Sequence, residues 1–417
     1  MTTRQLDHVA WLEQSGAARV LALLDADGEE ARVVGGAVRN QLLGLAVADV
    51  DIATTAVPVE VMRRAAAAGI KAVPTGVDHG TVTLVLDGTP YEVTTLRLDV
   101  ETFGRKAKVE FGRDWAGDAH RRDFTVNGLS LDRRGVVHDH VGGLDDIAAR
   151  RVRFIGNPDA RIAEDYLRIL RFFRIHAAYG HGAPESAGYL ACVRARDGLA
   201  ALSAERLRQE MLKLVAAPGA VEAVVAMNDG GLLQLVIGGV AYPGPFAVMI
   251  EIERQLGLRP DAVLRLGALC VAVTEDARRL GQRLRLSNAE AKRLDTMGHR
   301  WWRLTGMDDA TARRRLYRLG AAGYRDRIML AWARSGRTVS SQRWVELATL
   351  PDRWTPPKFP IRAADLIARG IDEGPALGHI LTLCEDAWLA SGFIDDPAGL
   401  ARIADETVAR FRREHRL

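Results

Sequence analysis

The chain has 417 residues, 48% of them apolar and 26% charged, with a formal net charge of +4. This length is too great for one hydrophobic core and predicts about two to four domains of an ordinary soluble globular kind. A membrane span and a signal peptide are both excluded by the absence of a long apolar run, and Cys192, Cys270 and Cys384 are too widely spaced for a disulfide framework, which suits reduced thiols in a cytoplasm.

Residues 1 to 27 read as a helical lead-in. The apolar run Ala31 to Val34 predicts a first strand, followed by Gly35-Gly36 and a helix-like segment carrying Arg39. Paired glycines let backbone N–H groups approach a phosphate at a helix N-terminus, and Arg39 adds a fixed cation. A second run holds Asp49 and Asp51. On a strand, residues i and i+2 share a face, so these carboxylates are expected side by side. Two hard oxygen ligands at that spacing suit Mg²⁺, which is held by one or two carboxylates plus substrate phosphates. A D-x-D alone is more often a solvated strand edge, so the reading depends on what lies downstream.

Val82 to Leu86 and Tyr91 to Thr95 predict a hairpin around Asp87-Gly88-Thr89-Pro90. Glu92, on that hairpin, is a further acidic candidate for the metal, although a solvated strand glutamate is the commoner case. Leu98 to Ala119 lacks clear periodicity and predicts a mobile loop. Next comes Arg121-Arg122-Asp123-Phe124-Thr125-Val126-Asn127. Its arginines suit phosphates and Asp123 suits a ribose hydroxyl; the plainer alternative is a surface pair between Arg122 and Asp123. Val136 to His140 predicts another strand. Its two histidines share a face without a third ligand nearby, so no metal site is expected there.

After Asn157-Pro158, apolar residues recur at helical spacing to the end of the chain. Arg161 to Arg174 predicts one helix, on which arginines at every third position cover about 120° of one side over about 9 Å. Asp165 and Arg168 are helix neighbours. A carboxylate beside a guanidinium matches the edge shared by cytosine and adenine, an exocyclic amine donor next to a ring-nitrogen acceptor. Ordinary salt bridges on a solvated helix are the alternative. In Leu202 to Lys213, Ser203 is the expected N-cap, and Glu205, Arg206 and Glu210 are expected to buttress the preceding helix. Between Arg283 and Arg337 stand fourteen Lys or Arg against five Asp or Glu, with Trp301, Trp302, Tyr317, Tyr324 and Trp332 among them. Such a mixture is the footprint of a nucleic-acid partner, or simply a solvated helical surface. Pro351 to Pro360 reads as a stiff connector.

Four of these motifs occur in an order that resembles the class II tRNA nucleotidyltransferases, the family of CCA-adding enzymes and bacterial poly(A) polymerases. They are G-G-A-V-R-N-x-L-L-G with D-x-D, R-R-D-F-T-V-N, E-D-x-L-R-x-L-R-x-x-R and S-A-E-R-L-R-x-E, within residues 31 to about 215. The tail piece F-P-I-x-A-A-D-L-I looks like the CCA-adding branch. The resemblance implies an α+β fold: a polymerase-β-like nucleotidyltransferase head (28–150) after the lead-in, then an all-α neck (151–215), body (216–350) and tail (351–417). It implies template-independent addition of C and A to the 3′ end of tRNA from CTP and ATP, with Mg²⁺ on Asp49 and Asp51. Gly36 and Arg39 would contact the triphosphate, and Arg122 and Asp123 the sugar and phosphate. Asp165 and Arg168 would read the base, with Arg171 and Arg174 nearby. Asn40 stands where the family usually has aspartate, and Gly128 where it usually has alanine. Alternatives are a poly(A) polymerase, whose long basic C-terminal extension is not seen here, a partial CC- or A-adding enzyme, and a non-catalytic RNA-binding protein on the same fold. No membrane association or obligate protein partner is indicated.

Overall fold

The computed structural model describes residues 1–14, 16–103, 106–336 and 339–415. They form two compact units, one of residues 1–241 with 283–285, the other of 242–282 with 286–417.

The first unit is built on ten strands: β1 (Thr2–Gln5), β2 (Ala31–Val34), β3 (Asp51–Thr54), β4 (Lys71–Gly76), β5 (Thr81–Leu86), β6 (Thr89–Thr95), β7 (Arg97–Phe103), β8 (Lys106–Phe111), β9 (Ser130–Asp132) and β10 (Val136–Asp139). Eight make one sheet in the order β1-β10-β9-β2-β3-β6-β5-β4, and β7 pairs with β8 separately. Only β3 and β6 run parallel in the large sheet. Alternation explains β5, where Val82, Leu84 and Leu86 are buried and Thr81, Thr83 and Val85 are only partly so. The β5–β6 turn contains two residues, Asp87 (φ 51°) and Gly88 (φ 79°), with Leu86 opposite Thr89. Two positive φ values in a row are what a two-residue hairpin needs, and Asp-Gly supplies them at low cost.

Three local expectations change. The 1–27 segment is not wholly helical: it opens with β1, which is exposed throughout and joins the sheet edge through backbone bonds to β10, so no apolar alternation marks it. The 98–119 stretch is not a loop. It holds the β7–β8 hairpin and the Trp115–His120 helix, capped by Asp114; residues 104 and 105 lie outside the described residues. Dense charges mask the strand period there. Finally, β3 starts at Asp51 and Asp49 lies just before it, so the pair is not carried within one strand.

The predicted Arg161–Arg174 helix is two helices, Pro158–Glu164 and Leu167–Tyr179. Asp165, with φ −158°, is extended, and its carboxylate accepts from Leu167 N at 3.1 Å, as an N-cap does. Tyr166 fills the space over Gly198, where an added Cβ would stand 2.0 Å from the ring. The second helix is joined to the sheet by packed aromatics: Phe124 meets Phe154 in a tilted contact at 4.9 Å, and Phe154 stacks on Phe172 at 5.3 Å. Gly128 packs where a Cβ would come 2.7 Å from Val141, which accounts for its smallness.

The second unit is all helical in its described residues. Glu253 and Arg265 form a buried pair at 2.6 Å, the long Asp309–Arg334 helix kinks at Gly320 (φ 69°), and the final helices close over Ile380, Cys384 and Trp388.

Gly198→Ala should lower stability by about 1–3 kcal/mol, the range for forcing extra volume into a packed site. Chemical denaturation reads this directly, and an unchanged midpoint would mean that Tyr166 moves aside freely.

Candidate active site

A cavity of about 470 Å³ opens in the first unit. Its floor is the β2 turn: Gly35 (φ 71°) takes the left-handed conformation, and a Cβ there would lie 3.2 Å from Arg122. Gly36 starts the helix that carries Arg39 (Gly36–Leu42), and Asp51 enters from the start of β3. Arg122, Asp123 and Asn127 come from the motif before β9. Asp165, Arg168, Arg171 and Arg174 descend from the helix pair, and Arg206 from Ala204–Ala216. Of the residues to which the family resemblance gave a metal or nucleotide role, Asp49 alone does not line it, and neither does the further metal candidate Glu92. Asp49 is exposed just before β3, close enough for its charge to act on Asp51.

The electrostatics are a set of short ion pairs. Arg122 meets Asp118 at 3.0 Å, Arg168 meets Glu164 at 2.5 Å, and Arg171 meets Asp123 at 2.5 Å. Arg174 meets Glu210 at 2.5 Å, and Arg206 meets Asp165 at 2.6 Å. Asp165 and Arg168 therefore share the cavity without pairing with each other, because the helix break turns Asp165 toward Arg206. Arg168 instead donates to Glu164 and to Arg161 O at 2.6 Å. Arg206, expected only as a buttress, is a lining residue; Glu210 is the buttress, buried behind Arg174. Ser203 stands at the N-cap position without a side-chain cap bond, and Glu205 reaches Arg285.

Asp123 is buried and its acceptor positions are filled: Oδ2 by Arg171 Nε and Nη2, Oδ1 by Phe124 N at 2.9 Å and Asn127 Nδ2 at 3.1 Å. Burial alone would raise its pKa, but Arg171 and these donors hold it below the usual carboxylate value. Asp165 is lowered in the same way, chiefly by Arg206 against burial. Asp51 goes the other way. Burial of its carboxyl and the charge of Asp49 push it up, with Arg122 opposing. Glu92 stands level with Asp51 in the parallel register, yet no group of three or more His, Cys, Asp or Glu converges at metal distance among the described residues. His138 lies beside Asp132 at 3.2 Å, and Asp139 accepts from three backbone N–H groups, so the His138–His140 segment is structural.

Asn127 was not distinguished within its motif, and nothing in the sequence showed that it reaches Arg39 (2.5 Å). In the second unit the basic region is largely used internally. Arg293 pairs with Asp261 and Asp326, Arg318 with Glu385 and Asp386, and Arg325 with Asp352. Arg300, Arg303 and Arg315 are exposed without a salt bridge among the described residues, and Arg300 and Arg303 flank the Trp301-Trp302 pair, of which Trp302 is 47% exposed.

Comparison with known proteins gives the same picture. Residues 31–153 match the poly A polymerase head domain family. The mitochondrial CCA tRNA nucleotidyltransferase 1 of Danio rerio is 34% identical over 378 residues, 87% of this chain and 84% of its own length. A CCA-adding enzyme of Limosilactobacillus fermentum is 30% identical over 93% of this chain and 96% of its own. The crystal structure of the Bacillus stearothermophilus CCA-adding enzyme in complex with CTP superposes with a TM-score of 0.74 at 25% identity, covering 97% of this chain and 100% of that one. Because the similarity runs far beyond the head, through the helical remainder, the chain belongs to the family of CCA tRNA nucleotidyltransferases.

Proposed function

We propose that this protein adds C and A nucleotides to the 3′ end of tRNA from CTP and ATP, releasing pyrophosphate. The observation that carries the reading is one cavity holding a carboxylate on one wall and six arginines around it, in a chain similar over most of its length to CCA-adding enzymes. In this reading 28–150 is the catalytic head, 151–215 the neck that meets base and tRNA end, 216–350 the tRNA-binding body and 351–417 the tail. Three free, buried thiols suit a cytoplasmic setting. No helix among the described residues is long and apolar enough to cross a membrane.

Nucleotidyltransferases of this type use a divalent metal. Asp49 and Asp51 fit Mg²⁺ because they are hard oxygen donors whose like charges act on each other, with further ligands left to substrate phosphate and water. Bound there, the ion would acidify the attacking 3′-hydroxyl and draw charge from the triphosphate. The chain's own groups then divide the remaining work. Gly36 offers backbone to a phosphate at the start of its helix, and Arg39 and Arg122 supply positive charge to the triphosphate and sugar. Asp123 holds Arg171 against that side, with Arg174 behind. Asp165 accepts from the exocyclic amine of cytosine or adenine while Arg168 donates to the ring nitrogen. Uracil and guanine present the opposite polarity and are disfavoured. Arg206 shares Asp165 Oδ2 meanwhile, so the carboxylate is held rather than free to rotate.

The reading is tested with purified protein, a tRNA ending before its CCA, and each labelled nucleotide offered singly and together. CTP then ATP incorporation that stops at three residues supports it; open-ended ATP tails on other RNA would replace it with poly(A) synthesis.

Asp49→Ala and Asp51→Ala should each abolish addition while tRNA binding persists, and near-normal turnover in both with Mg²⁺ would sink the metal assignment. Asp51→Asn should also raise the melting temperature at pH 7. In the folded protein the Asp51 pKa lies above the usual carboxylate value, so an ionised Asp51 opposes folding at neutral pH. As pH falls through that raised value the folded carboxyl takes up its proton first, and below the ordinary aspartate value it is protonated in both states, so the advantage of Asn should shrink across this window and vanish below it. A melting temperature unchanged at pH 7 would count against the raised pKa.

Replacing Arg300, Arg303 and Arg315 together with alanine should weaken tRNA binding and flatten its log–log salt dependence by about 0.7–0.9 per lost phosphate contact, leaving KM for CTP alone. An unaltered slope would make this stretch an ordinary solvated surface.

A further inference from the structure

Arg161 does not line the cavity, yet it is bonded to both of the walls that would read a nucleotide. It sits in the last turn of the Pro158–Glu164 helix, with its side chain 13% exposed. Nη2 donates to the backbone carbonyls of Arg121 at 2.5 Å and Arg122 at 2.6 Å, far earlier in the chain. Nη1 donates to both oxygens of Glu164, at 2.8 and 2.5 Å. Glu164 Oε2 also accepts from Arg168 Nη1 at 2.5 Å, and that nitrogen reaches Arg161 O at 2.6 Å. Burial would raise the Glu164 pKa, but Arg168 and Arg161 together hold it below the usual value, so it stays an anion between two cations. Arg161 Nε, by contrast, is buried without an acceptor among the described residues.

Buried N–H groups are normally paired. The unpaired one is the cost of a geometry in which the other two corners of the guanidinium point to different partners. One corner holds the backbone behind Arg122, and the other holds the carboxylate behind Arg168. Arg122 would meet the triphosphate and Arg168 the base, so a continuous run of bonds joins the two contacts. The Asp123–Arg171 pair ties the same motif to the same helix one turn farther on, but no hydrogen bond of that pair reaches Arg168 among the described residues. With no face on the cavity, Arg161 can transmit only position.

We propose that Arg161 is a positioning residue that couples the two ends of the nucleotide: a triphosphate held at Arg122 steadies the 121–122 backbone and, through Arg161 and Glu164, steadies Arg168 on the base edge. The inference rests on the reading of this cavity as the nucleotide site and deepens it. Coupling between two contacts is reciprocal, and it shows as a selectivity that is larger with both contacts present than with one. Base choice is therefore stricter for nucleotides that carry the triphosphate than for those without it. Replacing Arg161 breaks only the link. Arg168 keeps Glu164 and the carbonyl of residue 161, and Arg122 keeps Asp118, so each end still binds alone.

The test compares binding of CTP against UTP, and of CMP against UMP, in the native protein, Arg161→Ala, Arg161→Lys and Arg168→Ala, with melting temperatures checking each fold. In the native protein the CTP-over-UTP preference should exceed the CMP-over-UMP preference by about fivefold or more. Arg161→Ala should remove that excess and leave the CMP-over-UMP preference as it was. Arg161→Lys keeps the charge but cannot span both partners, so it should lose the excess as well. It also carries the test where the alanine variant is too unstable to measure. An excess that survives in these variants overturns the proposal, as does a native protein with no excess to lose. An equal fall in both preferences overturns it too, because that is what a merely structural arginine produces. Arg168→Ala separates the proposal from the reading beneath it. If that variant still prefers CTP to UTP as the native protein does, the base reading of the cavity fails and the proposal with it. If it loses the preference while Arg161→Ala keeps the excess, only the coupling is wrong.

Discussion

The ion pair between Asp123 and Arg171 is the constraint on which the cavity depends. Asp123 belongs to the motif that leads into β9, and Arg171 to the Leu167–Tyr179 helix; without their contact the arginine wall would have no fixed distance from the sheet. Both oxygens of Asp123 are saturated by donors, and the carboxylate is buried. Breaking such a pair from one side typically costs about 3–5 kcal/mol, because the surviving charge stays desolvated. The aromatic column Phe124–Phe154–Phe172 runs from the same motif to the same helix. Polar and apolar contacts therefore fix one geometry from adjacent residues, 123 and 124.

Much of the site was legible because phosphoryl-transfer chemistry demands residue types that sequence displays openly: glycines before a helix, paired acids, periodic arginines. Eight of the residues named from those patterns do line one cavity, together with Asp51. What could not be read was pairing. Asp165 and Arg168 are adjacent on any helical wheel, yet a single extended residue at 165 sends its carboxylate to Arg206, forty-one positions away. Helix continuity was inferred from an unbroken apolar period, and that period does not register one non-helical residue whose side chain caps the next turn.

The fold shows the same division between periodic and non-periodic information. Strands with a buried face, such as β5, announce themselves by alternation. β1 has no buried face and is held by backbone bonds, so its existence depends on β10 far along the chain, where Thr2 pairs with Asp139 and Gln5 with Val136. The β7–β8 hairpin stands outside the main sheet, and its charges obscured the strand period. In the second unit the arginines looked like a surface property of composition. Many instead brace helices against one another, as Arg293 does between Asp261 and Asp326.

Charge pairing also explains how so many cations coexist in a small volume. Six guanidinium groups in one cavity would repel strongly at low dielectric. Carboxylates standing mostly outside the lining, at Asp118, Glu164 and Glu210, offset three of them from behind. Those acids orient their arginines toward the cavity without occupying it, so the space stays open to an anion while the cost of assembling the charges is met elsewhere in the fold. The two lining acids that pair, Asp123 and Asp165, do the opposite and bring negative charge into the cavity itself: Asp123 spends its oxygens on Arg171 and its neighbours, and Asp165 is the one that would favour a ligand offering a donor. A ligand that satisfies both kinds of wall must be anionic at one end and carry an N–H edge at the other, which is the description of a nucleoside triphosphate bearing cytosine or adenine.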